Sequence, residues 1–510
     1  MNTGILYARM AITVVLSLYT TRIVLDALGV EDFGIFSLVG GVIAMLTFLN
    51  ASMAAATQRF MSFAQGQGDE GRQHQIFNVS VILHAGIALI VLGLLEIAGW
   101  ILFEGVLKIP PKRIQAAWLV YQFAVASTFF TILAVPYDAV INARENMLLF
   151  AVLGVIEAVL KLMIAFIIVN ATTDKLELYG LLMAVIAVAL LAMRAAYCHL
   201  RYQECEYGPG RYFSRPLFKE MTSFAGWSLM GSTTSMLANY GQGLVLNVFF
   251  GPKVNTAQGL VGQISGQLGV FAAVMLRAIN PFITKSEGSG NRALMIQATM
   301  TASKMSFFLL SIVYIPFLIE MPYLFELWLK EVPPYTIIFC YLLLMRNLVE
   351  QLYITLTTSI SAVGNIKKFQ MLYSILTLLP LPISYFLFSV GYAPYLLYCV
   401  FLLYSIIIFA VVIKFTQKLC DLPVKKYLNN VVLRGLAVFI ISLTIAALPT
   451  YYIQPSLFRL MTVSVISILT IFTLIWHVGL CSNEREIFSN MVRTFRGRMA
   501  AIRCKKNDDL

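Results

Sequence analysis

A chain of 510 residues that is 59% hydrophobic and 12% charged, with a mean hydropathy of +0.81, is not a soluble globular protein of ordinary make-up, which carries about twice that charge. Its apolar runs are too long and unbroken for alternating barrel strands, so composition points to an all-α polytopic membrane protein whose helices satisfy their own backbone. The net charge of +12 lies mostly in loops between apolar runs, where membrane topology explains it better than nucleic acid does.

Windows of about 20 apolar residues predict fourteen spans. The first six cover 5–28, 33–56, 77–103, 115–136, 147–169 and 178–199. The next six cover 222–250, 254–283, 297–319, 335–362, 368–389 and 393–415, and two more cover 430–450 and 457–480. Only Met1 to Gly4 precede the first span, which is too long for a cleaved signal and is expected to act as its own anchor. With the even-numbered connections inside, that side and the tail hold roughly 23 Lys and Arg against about seven on the other. Both termini are therefore expected in the cytoplasm. The outer connections are short, the longest near Glu104–Arg113 and Glu320–Pro334, so no outer domain can house catalysis. The expected divisions are an N-terminal lobe at 1–200, a C-terminal lobe at 201–416, two added spans within 417–482, and a basic tail at 483–510. The tail, with Arg493, Arg496, Arg498, Arg503, Lys505 and Lys506, reads either as an amphipathic helix on anionic lipid or as a plain topology signal.

The two lobes are suggested by an internal echo. Tyr19, Val24, Leu25 and Asp26 match Tyr240, Val245, Leu246 and Asn247; after a one-residue slip, Gly29 and Leu38-Val39-Gly40 match Gly251 and Leu260-Val261-Gly262. Each copy straddles a short polar turn between two long apolar segments and opens one half of the protein. Two similar bundles are the usual frame of an alternating-access carrier.

An ionisable group at membrane depth costs about 2.5–3.5 kcal/mol, so it persists only when paired or facing water. Such groups are Arg9, Arg22 and Asp26 in the first span, Glu96 in the third, Glu157 and Lys161 in the fifth, Arg277 in the eighth, and Arg346 and Glu350 in the tenth. Arg22/Asp26, Glu157/Lys161 and Arg346/Glu350 are i,i+4 pairs of opposite sign. Each either neutralises itself against a neighbouring helix or lines a water-filled interior. Arg9 and Arg277 have no partner at helical spacing. They either snorkel to the interface or, with Arg59, form a cationic entrance suited to a pyrophosphate. Asn239, Gln242, Asn247 and Gln263 offer an amide lining among small residues, a mix that also serves helix packing. Asp138, Glu157 and Glu350 are the carboxylates able to couple transport to a proton or sodium ion.

No catalytic or nucleotide-binding motif is present: there is no Gly-rich phosphate loop, no HExxH and no nucleophile elbow. The seven cysteines, at 198, 205, 340, 399, 420, 481 and 504, form no CxxC pair and no ligand spacing with the four histidines, so neither a metal site nor a disulfide framework is indicated.

The runs ALGVEDFGIFSLVGG (27–41) and FLNASMAAATQRFMSF (48–63) resemble the opening of bacterial polysaccharide flippases. These are the Wzx-like O-antigen and capsule translocases of the multidrug/oligosaccharidyl-lipid/polysaccharide (MOP) exporter superfamily. The similarity continues through VPYDAVINARENMLLFAVLGVIEAVLKL (135–162), FAGWSLMG (224–231), LNVFFGPKVNTAQGLVGQ (246–263), AINPFITKSEGSG (278–290) and ISAVGNIKKFQ (360–370). The resemblance implies two six-helix lobes that open alternately and move an undecaprenyl-pyrophosphate-linked oligosaccharide across the bacterial cytoplasmic membrane. It also implies membrane lipids as surroundings and the polymerase and glycosyltransferases of the same pathway as partners. In the related lipid II flippases, arginines on helices 1, 2 and 8 hold the pyrophosphate; Arg9, Arg59 and Arg277 lie on the corresponding helices, matched by helix and not by motif. Arg22, Lys161 and Arg346 join them as candidate cations of the path. The rival readings are a cation-coupled multidrug antiporter of the same superfamily and a membrane-embedded polymerase or ligase, which would call for a large outer loop.

Overall fold

The structure is a computed structural model that describes residues 2–44, 47–101, 103, 110–329, 332–481 and 484–486. Its described residues are overwhelmingly helical, and no strand occurs among them. In chain order the helices are α1 (Asn2–Ala44), α2 (Thr47–Gln67), α3 (Glu70–Ile101), α4 (Ile114–Leu133), α5 (Val135–Ala143), α6 (Met147–Val169) and α7 (Lys175–Arg201). After a short α8 (Pro209–Tyr212) come α9 (Arg215–Gly288), α10 (Arg292–Ile319), α11 (Met321–Trp328), α12 (Thr336–Val363), α13 (Lys367–Leu378) and α14 (Pro380–Ser389). The chain closes with α15 (Leu396–Cys420), α16 (Val424–Tyr427), α17 (Arg434–Ala447) and α18 (Leu457–Leu474).

Twelve helices among the described residues are long and apolar enough to cross a membrane, so the chain is a polytopic membrane protein. The two expected spans that do not meet this measure are 33–56, which includes the undescribed Met45–Leu46, and 222–250, which Ser, Thr, Gly, Asn and Gln make less apolar. Several helices run past the apolar windows. α2 continues to Gln67 and α5 to Ala143, because hydrocarbon thickness limits the apolar stretch while backbone hydrogen bonding limits the helix. The predicted basic tail lies outside the described residues, apart from Glu484–Glu486.

α1 and α9 each break once, at Gly29 (φ 77°, ψ 170°) and at Gly251 (φ 73°, ψ −171°). These are the two glycines that the internal echo aligns. Their backbone angles fall in a region that residues with a Cβ essentially do not enter, whereas a Cβ placed at either glycine would meet no neighbour. Glycine is thus required at both by conformation and not by crowding, and the same angles recur at equivalent points of the two copies.

The chain forms two compact units, neither of them continuous. The first comprises residues 1–241, 273–299 and 357–381. In it, Val24 of α1 packs with Ile164 and Ile168 of α6 and Ile186 of α7, while Val91 and Leu95 of α3 enclose Val120 and Tyr121 of α4. Arg113 forks onto Asp32 and Asp174, joining the connection after Gly29 to the starts of α4 and α7. The second unit comprises 242–272, 300–356 and 382–510. Here α18 and the segment that follows it are tied to α10 and the residue after its end by two buried charges. The Arg459 guanidinium donates to both oxygens of Glu320 at 2.8 and 2.7 Å, and Lys304 Nζ donates to the Gly479 carbonyl at 3.1 Å and to Glu484 at 2.5 Å. Glu320 is fully buried and Lys304 nearly so, so each carries its counter-charge with it.

Candidate functional site

Phe150, Gly154, Glu157 and Lys161 recur along α6 at steps of four, three and four residues, which puts them on one helix face. That face packs on α1. Lys161 Nζ donates to Glu157 at 2.7 Å, as the i,i+4 spacing predicts. One turn away, Gly154 leaves the α6 backbone bare. A Cβ there would sit 2.1 Å from Arg9 Nε, so the guanidinium occupies the space a side chain would fill. From that seat Arg9 Cζ lies 4.5 Å from the centre of the Phe150 ring, and Arg277 Cζ of α9 lies 4.6 Å from the centre of the same ring. Two guanidinium groups thus share one aromatic platform, whose π-electrons offset part of their mutual repulsion.

Neither arginine makes a hydrogen bond or ion pair to any described residue. Both border a cavity of about 180 Å³ whose wall also includes Leu6, Met10, Thr13 and Val274. Thr13 Oγ1 donates to the Met10 carbonyl at 3.1 Å and keeps its lone pairs for a second contact. Each guanidinium has five N–H donors, so the cavity is rich in unused donors.

Arg9 also feels the charges of Glu157, Arg194 and Asp138, and Asp138 feels Arg277. Asp138 of α5 and Arg194 of α7 form an ion pair at 2.9 Å. With Lys161, the cluster holds four cations and two carboxylates, a surplus of two positive charges. An arrangement of this kind binds a multiply charged oxyanion through bidentate, charge-assisted bonds.

The other predicted residues fall elsewhere. Arg59 Nε and Nη2 donate to the carbonyls of Ser361 and Ala362 at 2.8 and 2.9 Å, capping the last turn of α12, and its guanidinium lies within 4.7–5.5 Å of the Phe60, Phe63 and Phe224 ring centres. It borders a separate cavity of about 410 Å³ with Glu220, Trp227 and Lys367, so it does not join Arg9 and Arg277. Arg22 and Asp26 are both exposed and no bond links them. In the second unit, Arg346 Nε donates to Glu350 at 2.7 Å and its guanidinium lies 5.1 Å from the Phe401 ring centre. Asn239 and Asn247 are exposed, Gln242 is buried, and Gln263 borders a cavity of its own in the second unit.

Phe150, Gly154 and Arg194 escaped the sequence reading. Arg194 carried a signal, a cation inside the sixth apolar window, whereas an unremarkable Phe and Gly in an apolar helix carry none.

The chain matches no protein-family profile and no curated protein, but it superposes on solved membrane transporters. An outward-facing multidrug resistance MATE family transporter of the MOP superfamily matches with a TM-score of 0.68 at 13% identity, covering 82% of this chain and 95% of that one. A MOP superfamily transporter from Pyrococcus furiosus, described as having a binding pocket of reversed polarity that suggests a different function, matches with a TM-score of 0.68 at 14% identity over 82% and 95%. The Vibrio cholerae MATE transporter VcmN in its bent form matches with a TM-score of 0.63 at 17% identity over 82% and 97%. The fold is that of the MATE transporters. Within this MATE-like fold the two unpaired arginines and Phe150 all belong to the first compact unit.

Proposed function

We propose that the protein is an alternating-access carrier that moves an undecaprenyl-pyrophosphate-linked oligosaccharide from the inner to the outer leaflet of a bacterial cytoplasmic membrane, with both termini in the cytoplasm. The observation that carries this reading is the pair Arg9 and Arg277, unbonded to any described residue and sharing the Phe150 ring beside a cavity. A sugar-linked pyrophosphate diester carries two negative charges, which match the surplus of the cluster, and its oxygens accept from both guanidinium forks. The polyprenyl tail stays in lipid. Asp138, paired with Arg194 within the cluster, is the carboxylate suited to exchange a proton or sodium ion as the carrier turns over. Fold likeness to multidrug MATE transporters supports a carrier; the cationic site favours an anionic lipid over a cationic drug.

The test uses a strain lacking this protein, complemented with the wild type or with Arg9→Gln/Arg277→Gln, while surface polysaccharide and lipid-linked oligosaccharide on each leaflet are assayed. Loss of polymer with precursor trapped on the inner leaflet in the expressed variant is expected. Normal polymer with altered resistance to cationic dyes would replace this reading with the multidrug antiporter.

A further inference from the structure

Gln263 and Gln267 lie one turn apart on α9 and border a cavity of about 280 Å³ in the second unit. Phe317 of α10 and Phe325 and Trp328 of α11 form an aromatic wall, and Ile264, Leu268 and Leu324 complete the apolar lining. Both amides are exposed and make no hydrogen bond to any described residue, although Thr256–Gly288 is a membrane-spanning helix. A carboxamide left unbonded in hydrocarbon is penalised by several kcal/mol, so the two face water or a polar ligand. Phe325 is almost fully buried and fixes the wall. Trp328, 6.3 Å from it between ring centres, remains about half exposed and offers a flat apolar surface.

The chemistry of the lining narrows the occupant. Among the described residues, no Lys, Arg, Asp or Glu borders the cavity, so its described lining offers a counter-charge to neither an anion nor a cation. An acyl or prenyl chain would cover the aromatic wall but leave four amide donors and two carbonyl acceptors unused. A pyranose ring has both required surfaces: an axial C–H face that lies on an indole, and a rim of hydroxyls that each accept from and donate to a carboxamide. The volume suits a single ring, at the small end of ligand pockets.

We propose that Gln263, Gln267 and Trp328 form a subsite for one neutral hexopyranose, N-acetylated or not, of the transported glycolipid. This rests on the carrier reading above, and the experiment separates the two. The full-length protein in lipid nanodiscs is examined by saturation-transfer NMR with methyl glycosides of glucose, galactose and N-acetylglucosamine, and with glucuronate as the charged control. At least one neutral glycoside is expected to receive saturation through its ring C–H protons, and glucuronate is not. Gln263→Leu/Gln267→Leu, at exposed positions that do not threaten folding, should weaken that binding about five- to tenfold, as the loss of one or two hydrogen bonds predicts. Trp328→Ala should do the same and Trp328→Phe should restore most of it. Absence of transfer from every neutral glycoside, or equal transfer in wild type and the glutamine variant, overturns the subsite and leaves Trp328 as an interfacial anchor beside lipid. Binding of inorganic pyrophosphate is measured on the same samples. Pyrophosphate bound without sugar removes the subsite alone, whereas sugar bound without pyrophosphate removes the flippase reading and keeps the subsite.

Discussion

Arg9 and Arg277 in the first unit and Arg346 in the second present the same local picture, a guanidinium about 5 Å from a phenylalanine ring inside a membrane protein. They differ in the counter-charge. Arg346 holds Glu350 at 2.7 Å, Arg459 holds Glu320 and Arg113 holds Asp32 and Asp174, whereas Arg9 and Arg277 hold no carboxylate among the described residues. A paired arginine is part of the architecture, since removing either partner strands the other. An arginine seated only on an aromatic ring retains its full hydrogen-bonding capacity for something that arrives.

Breaking that contrast should have its largest effect at the unpaired site. Arg9→Gln/Arg277→Gln removes two sets of charge-assisted bonds worth about 1.5–3 kcal/mol each, so affinity for inorganic pyrophosphate should fall roughly a hundredfold or more by calorimetry. The thermal midpoint should hold or rise, because two neighbouring like charges have been removed. Glu320→Gln should behave oppositely. It strands a nearly buried Arg459 and should destabilise the second unit by about 3–5 kcal/mol in a denaturation assay, with pyrophosphate affinity unchanged in the protein that remains folded. If both variants lose binding and stability together, the division into two kinds of arginine is wrong.

Smaller effects sharpen the contrast. Phe150→Leu removes two cation–π contacts of about 0.5–2 kcal/mol each and should weaken pyrophosphate several-fold, with Phe150→Tyr restoring it. Arg346→Gln should leave pyrophosphate affinity within about twofold, since its charge is already answered by Glu350. The smallest effect concerns pH. Asp174, in the connection before α7, is held below the usual carboxylate range, first by the hydrogen bond from Arg113, and it also caps α7. Its folded state therefore binds a proton less readily than its unfolded state. The stability it contributes is present above the ordinary carboxylate range and is lost as pH falls through its depressed folded value. Asp174→Asn should flatten the acid limb of a pH–stability profile; an unchanged limb would exclude this group as a contributor.

Some of this was legible in the residues. The echo of Gly29 by Gly251 predicted equivalent points in two halves, and both glycines adopt the same backbone angles. Opposite charges four residues apart predicted Lys161–Glu157 and Arg346–Glu350, because helical spacing alone brings such side chains together. The same spacing predicted Arg22–Asp26, where no bond forms. Helical spacing permits a pair but does not by itself close one: the Arg22 and Asp26 side chains are both exposed and are not bonded to each other.

What the sequence determined by itself was what local chemistry and solvent determine: an all-helical membrane protein, the approximate extents of most of its spans, and the cations and carboxylates that had to be explained. Only the tertiary structure decided which cations stay free. Arg9, Arg59 and Arg277 were indistinguishable as letters, yet Arg59 caps the end of a helix some 300 residues away while Arg9 and Arg277 meet over a phenylalanine contributed by a third helix. The physical reason is that a guanidinium becomes structural or available according to which acceptors reach it, and for Arg59, Arg113 and Arg459, unlike Arg346, those acceptors arrive from segments far away in the chain.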